Sequence, residues 1–506
     1  MHTRQRAFIS SLALVALGSA WACGSDDALS ISLPDAGGDG MATGDGNAFD
    51  GSAFDGSAFD AGGPDAAVVD SAPPCVGLEC QQVTCDGGAT TQVSGTVLDP
   101  ALKNPVYNAI VYVPNGPLAA IKHGPSCDRC ADAPSGSPLT ITTTGADGKF
   151  TLTNMPVGVD IPLVIQIGKW RRATKVTVAA CSDNALPQTL TRLPKNSAEG
   201  DLPQMAIAMG ACDPLECLLR KIGIDDSEFT PSNGNGHVHL YQGTGAGNSQ
   251  SGGNGTQPST DLWGSKLGAY DVVLNACECS QPDPNNKVPV STVRDYANQG
   301  GRVYASHYQS HWIQQGAAPF PATATWNGNG NVVANNPVTV NQAYDKQKAL
   351  ASWLLATGAS GMKGQITLAD LRPDVLQASA PAIAWLEIPK NGQNPNLVTA
   401  YTFQAPFSAA VDGGADGGLD SGVDSGADAG PDGGAGPACG KVAFGDYHAG
   451  AQLMNANVSF PAQCGGGGDA GAPAMTANEK LMEFMFFDLM SCIQDDTQSP
   501  VVPPRK

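Results

Sequence analysis

Tyr270-Asp-Val-Val-Leu-Asn-Ala-Cys-Glu-Cys279 leads into a Pro/Asn turn, then Val288-Pro-Val-Ser-Thr-Val-Arg-Asp-Tyr-Ala-Asn-Gln-Gly-Gly301, then Arg302-Val-Tyr-Ala-Ser-His-Tyr308. This is the pattern of one βαβ unit. Asp271 to Leu274 is a short run with β-branched residues, as expected of a strand covered on both faces. Val290, Val293 and Ala297 recur at helical spacing, Pro289 suits a first turn, and Gly300 or Gly301 supplies the left-handed stop. Arg302 to Ala305 is the next strand. In open parallel sheets the usable crevice lies beyond the carboxyl ends of the strands. Here those ends carry Cys277, Glu278 and Cys279 on one strand and Ser306 and His307 on the other, which makes them the first candidates for a site.

The amino terminus reads as a processing signal. Arg4 and Arg6 form a basic n-region, Ala7 to Leu17 is too short to span a bilayer, and Ser19-Ala-Trp-Ala22 are mostly small. Cys23 follows at once. The arrangement resembles a bacterial lipobox, although Ala20 and Trp21 depart from the usual pattern. The resemblance implies residues 1–23 as a lipoprotein signal peptide, Cys23 as the lipidation site and, with Gly24 next, a lipid anchor in the outer membrane. Residues 24–73 are rich in Gly, Asp, Ser and Ala and repeat Phe-Asp-Gly at Phe49 and Phe54. Such composition buries too little apolar surface to offset chain entropy, so a disordered tether is expected.

With 47 acidic against 27 basic residues the formal charge is −20, which repels nucleic acid and anionic headgroups. Removing Cys23 from the 14 cysteines leaves an odd 13, so at least one thiol stays free if the rest pair. Cys127 and Cys130 form the single C-x-x-C, with no histidine close downstream. Disulfides are therefore favoured over zinc in an exported chain.

From Gln92 to about Lys195 the chain alternates in short β-branched runs: 92–98, 108–113, 139–143, 149–152, 161–167 and 173–178. Ala146-Asp-Gly148 makes a hairpin turn. Val93-Ser-Gly-Thr-Val97, Asn108-Ala-Ile-Val-Tyr112, Thr144-Gly-Ala-Asp-Gly-Lys-Phe-Thr-Leu152 and Met155-Pro-Val-Gly158 resemble the carboxypeptidase regulatory-like domain. That resemblance implies a transthyretin-like β-sandwich over residues 75–210, related in shape to carbohydrate-binding modules. Carbohydrate would then stack on exposed aromatics, for which Tyr107, Tyr112 and Trp170 are the candidates, against the alternative that they are core residues. Trp170 with Arg171 and Arg172 is also a basic spot suited to an acidic partner.

From Asp213 the period changes. Asp213 to Gly223 reads as a helix with Asp213 as N-cap and Pro214 in its first turn. On the strand from Val238 to Tyr241, His237 and His239 share a face and are weak metal candidates, decisive only if His307 or His448 converges on them. The loop from Gly243 to Gly255 lacks G-x-G-x-x-G and a P-loop lysine, which argues against a nucleotide. Val340 to Thr357 reads as an amphipathic helix and 382–388 and 397–403 as strands. Residues 411–437 place Asp at every fourth position in Gly, Ser and Ala and read as a disordered insertion. Lys441 to Phe444 is a further strand ending at His448, and Thr476-Ala-Asn-Glu479 is a capping box that opens an apolar helix to Cys492.

This order of elements resembles the flavodoxin-like fold of class I glutamine amidotransferases and trehalose-utilisation-like proteins, carried by Tyr270-Asp-Val-Val-Leu274, Gly300-Gly-Arg-Val303 with His307, and the late strand ending in His448. The expected organisation is multidomain: a sandwich followed by an α/β domain over 213–410 and 438–496. Amidotransferases set the nucleophile on a Gly-x-Cys-x-Gly elbow, which Asn275-Ala-Cys-Glu-Cys-Ser280 lacks. Cys277 or Cys279 is therefore expected in a disulfide, with Cys439, Cys464 or Cys492 as partner. Two functions follow. One is a non-enzymatic envelope protein binding carbohydrate or another envelope protein through the sandwich, with no cofactor and no nucleic acid. The other is a hydrolase or amidotransferase-like enzyme using Cys277, Glu278, His307 and His448. The enzyme reading requires Asn275 to Cys279, Ser306-His307 and Asp446 to His448 to come together, and the strand rule predicts that they converge at one rim of one sheet.

Overall fold

Seven alternating segments build two facing sheets in the computed structural model: β1 Gln92–Thr96, β2 Ile110–Pro114, β3 Pro138–Thr143, β4 Lys149–Thr153, β5 Gly158–Ile167, β6 Trp170–Val178 and β7 Asp183–Ala185. One sheet has the order β4-β1-β7 and the other β3-β2-β5-β6. Val93, Phe150 and Leu152 from the first meet Val111, Leu163, Ile165 and Trp170 from the second in one core. The structure describes residues 75–243, 256–283, 285–327, 336–389, 396–408, 437–450, 460–464 and 474–505, and Pro73–Lys506 pack as one unit. Cys23, the stretch 24–73, most of the loop after Gly243 and nearly all of 411–437 lie outside the described residues.

The remaining strands are β8 Met205–Met209, β9 Phe229–Pro231, β10 Val238–Gln242, β11 Val272–Asn275, β12 Arg302–Ser306, β13 Ala324–Trp326, β14 Asn336–Val340, β15 Gln365–Leu368, β16 Val375–Ala378, β17 Ile383–Ile388, β18 Leu397–Ala405 and β19 Gly440–Gly445. They form a single sheet in which β9-β10-β8-β11-β12-β19 are mutually parallel. From β18 onward the sheet turns antiparallel through β17, β14 and β15, with β16 also on β18 and β13 beside it. Every residue of β8, β11, β12 and β19 is buried, which is why these strands read as unbroken apolar runs. Their side chains still alternate. Met205, Ile207, Val272 and Leu274 face the helices Leu215–Ile222 and Ala477–Met490, while Ala206, Ala208, Val273 and Val303 face Trp263, Val293 and Trp312.

The helix Ala477–Met490 is capped reciprocally by Thr476 and Glu479, as the sequence predicts. From Leu481 to Met490 every residue is buried. Tyr304 of the sheet meets Phe486 on one side, while Tyr107 and Trp170 of the sandwich meet Phe484 and Phe487 on the other. Its Asp488, with Asp496, binds Lys346 and Lys441 in a buried cluster of four charges at 2.5–3.3 Å. The segment expected as one helix from Val340 divides, because Val340 ends β14 and the helix runs only over Asp345–Ala356.

The sandwich reaches the amino edge of the parallel sheet. Asp271, just before β11, accepts from His123, Lys169 and the Gln204 amide at 2.6–2.9 Å. Gly300, at φ +106°, lies so close to the Ser126 backbone that an added Cβ would stand 2.4 Å from it. Disulfides Cys127–Cys439 and Cys130–Cys492 fix the same loop. The other bridges are Cys75–Cys80, Cys85–Cys181, Cys212–Cys279 and Cys217–Cys464. The partners expected for Cys277 or Cys279 are thus engaged elsewhere, and Cys279 pairs with Cys212 because β8 and β11 are neighbours. Cys277 is free and buried.

Candidate functional site

At the opposite, carboxyl edge the strand ends converge. Cys277 follows β11, His307 follows β12 and His448 follows β19, and the Cys277 sulfur and one nitrogen of each imidazole all lie within 4.8 Å of one another. The two rings are 4.0 Å apart between centroids. Gly210, at the end of β8, approaches the Cys277 carbonyl so closely that an added Cβ would lie 2.0 Å from its oxygen. A side chain there would push the cysteine strand away.

Each member is held by its neighbours. The backbone N–H groups of Cys279 and Tyr308 hydrogen-bond the Cys277 sulfur, yet burial dominates and pushes the thiol up to about 12. Burial likewise holds His307 well below the ordinary imidazole range, and the facing His448 and Arg372 add to this. A hydrogen bond with the Asp370 backbone orients the His307 ring. His307, Cys279 and Asp370 all have left-handed backbones, at φ 50°, 62° and 52°. Non-glycine residues in that region are strained and cluster where surroundings impose them.

Asp213 is not the N-cap its position suggests. Pro214 takes the cap position, and the Asp213 carboxylate accepts from the Ser306 hydroxyl and from the Ala449 amide at 2.7 Å. Burial raises its pKa while His448 opposes the shift. Sequence reasoning gave this residue a local role, because a helix follows it. A buried link between β8 and the segment after β19 carries no local signature.

Glu278 departs from the expected set. Its Oε1 accepts from Ser259 Oγ at 3.4 Å and Gln309 Nε2 at 3.3 Å, and it is not part of the Cys277–His307–His448 cluster. His237 pairs with Glu228 at 2.7 Å and His239 with the Tyr270 hydroxyl at 2.9 Å. Neither meets His307 or His448, which meet each other instead. The sandwich aromatics also change role. Trp170 and Tyr112 are fully buried, and half-buried Tyr107 stacks on Phe484 at 5.7 Å, so none offers a free face for a sugar. Arg171 is buried and bound to Asp201 at 2.8 Å, which removes it from any partner surface.

Beside the cluster lies a cavity of about 210 Å³ that the sequence did not reveal. Tyr308 and Arg372 form part of its wall, with the guanidinium 4.1 Å over the ring, and Gln281, Ser310, His311, Gln314, Gln315, Trp326, Asn327 and Asp374 line the rest. Arg372 is bonded through its backbone N–H to the Asp446 carbonyl at 3.1 Å, which ties this wall to the segment bearing His448. Among the buried atoms without a hydrogen-bond partner, Trp326 Nε1 belongs to this lining, while Asn275 Nδ2, His307 Nε2, Asp446 Oδ1 and His448 Nε2 belong to residues at the ends of β11, β12 and β19. No family model matches the chain, and neither a curated protein nor a solved structure is significantly similar to it.

Proposed function

We propose that this chain is an exported, lipid-anchored envelope protein that binds a small carbohydrate-like ligand at the carboxyl edge of its parallel sheet. The composition of the cavity beside that edge carries the reading, and the unpaired Trp326 Nε1 in its lining adds to it, since a buried polar atom left without a partner costs roughly 1–3 kcal/mol. The cavity is polar and small, and it combines one tryptophan with planar amide, carboxylate and guanidinium groups. That is the lining a polyhydroxylated ligand of about one sugar ring requires.

The strand order supports the flavodoxin-like reading. Taken in chain order as strands one to five, β8, β10, β11, β12 and β19 lie side by side as 2-1-3-4-5. The seven-stranded, two-sheet arrangement supports the transthyretin-like reading of the sandwich. With its aromatics internal, the sandwich serves as a brace on the amino edge, and carbohydrate recognition moves to the α/β part. An amidotransferase-type nucleophile finds little support, since Cys279 is bridged and Cys277 is 1% exposed and sits on no glycine elbow.

Isothermal titration with neutral and acidic monosaccharides tests the ligand class. Trp326→Ala and Arg372→Ala should each weaken binding tenfold or more, about 1.4 kcal/mol. No heat with any saccharide, or binding indifferent to both changes, would overturn it. Anchoring rests on the segment before Cys23, and Cys23→Ser should move the protein into the soluble fraction.

A further inference from the structure

We propose that Cys277, His307 and His448 form a binding site for one transition-metal ion of the Zn²⁺ class, with a thiolate and two imidazoles as protein ligands. The donor set fits by chemistry and by reach. Zn–S bonds of about 2.3 Å and Zn–N bonds of about 2.0–2.1 Å at tetrahedral angles put ligand atoms roughly 3.3–3.6 Å apart. The three atoms here lie within 4.8 Å of one another, so a contraction on the order of 1 Å brings them to coordination distance.

Two observations independent of that spacing point the same way. Both imidazoles are more than nine-tenths buried, and the Nε2 atom of each has no hydrogen-bond partner. A neutral imidazole nitrogen with a lone pair and no donor is what a metal ligand presents. The sulfur is the second, since Cys277 is buried and is the one described cysteine outside a disulfide. Around the ligands, the Asp370 backbone fixes the His307 ring, while Asp213 stands close to His448 and is itself held by Ser306 and Ala449. Such outer partners orient ligand rings in metal sites.

The site also explains why one cysteine escapes pairing. Twelve described cysteines form six bridges, and Cys277 is the one left, two residues from bridged Cys279. A metal-bound thiolate is protected from random disulfide exchange in an oxidising compartment. Three protein ligands leave the fourth position of a tetrahedral ion for water or an exogenous group. This inference does not depend on the carbohydrate reading, since its ligands lie outside the cavity lining.

Co²⁺ titrated into the full mature chain is the probe, because it replaces Zn²⁺ and reports its ligands by absorption. One equivalent should produce a thiolate-to-metal charge-transfer band in the near ultraviolet together with intense tetrahedral d–d bands, and Zn²⁺ should displace both. Cys277→Ser should abolish the charge-transfer band. His307→Ala and His448→Ala should each weaken binding at least 100-fold, while His239→Ala should leave it unchanged. Wild-type protein that shows no charge-transfer band with Co²⁺ overturns the proposal whether or not the variants fold. So does a band that survives Cys277→Ser.

Discussion

Cys277 shows what a single residue can and cannot announce. The thirteen cysteines after Cys23 are an odd number, which leaves one thiol free if the rest pair, but spacing could not say which, because six bridges among them follow from tertiary proximity alone. Denatured, unreduced mature protein should therefore react with one equivalent of a thiol reagent, and the Cys277→Ser variant with none. A value of three would mean that an assigned bridge is absent. The carboxyl pair of Asp99 and Glu483 gives a second residue-scale test. Burial raises Asp99 to about 6 and Glu483 well above its ordinary value, and the two carboxyls interact directly. The folded state thus holds protons that the unfolded chain releases near pH 4, so stability falls as pH rises from about 4 through 6 and beyond. Glu483→Gln keeps an acceptor for Asn104, which donates to Glu483 at 2.6 Å, and needs no proton. Its melting temperature should fall less steeply across that window than wild type. An unchanged slope would assign the pH dependence elsewhere.

Among the elements, the helix Ala477–Met490 was legible in its start and not in its surroundings. The capping box is a local signal. The run Leu481-Met-Glu-Phe-Met-Phe-Phe-Asp-Leu-Met490 is apolar on all sides, which is the mark of a helix enclosed on all sides. Its two acids find buried partners in Asn104 and in Lys346 and Lys441, and those partners are distant in sequence. Phe484 touches Tyr107, Trp353 and Trp385, joining sandwich, helix and antiparallel sheet. Phe484→Ala should cost about 3–5 kcal/mol, read from the denaturation midpoint, and should loosen the sandwich first. A loss below about 1 kcal/mol would show that the interface does not hold the layers together. The βαβ unit, by contrast, was readable because apolar strands, a periodic helix and a glycine stop agree locally. The antiparallel extension from β13 to β18 was only partly readable, since β13 to β16 have three to five residues each and carry little periodicity.

At the scale of the whole molecule the two edges of the parallel sheet have separate duties. Sandwich, Asp271 network and two bridges secure the amino edge, and the carboxyl edge holds Cys277, His307, His448 and the cavity. The convergence of three distant segments was foreseeable, because parallel strands open their carboxyl ends on one side. The pairing of the sandwich with the opposite edge was not, since it rests on long-range contacts. Cys127–Cys439 and Cys130–Cys492 close separations of 312 and 362 residues. Replacing both pairs by alanine should lower stability by about 2–5 kcal/mol per bridge while leaving metal affinity at low temperature within twofold of wild type. A parallel collapse of metal binding would mean that the two edges are not independent. The most direct measurement is diffraction from crystals grown with Zn²⁺, recorded on both sides of the zinc absorption edge. The account predicts one anomalous peak per chain, in contact with the Cys277 sulfur and a nitrogen of both His307 and His448. A map with no peak there, or with Cys277 in a disulfide, would contradict it.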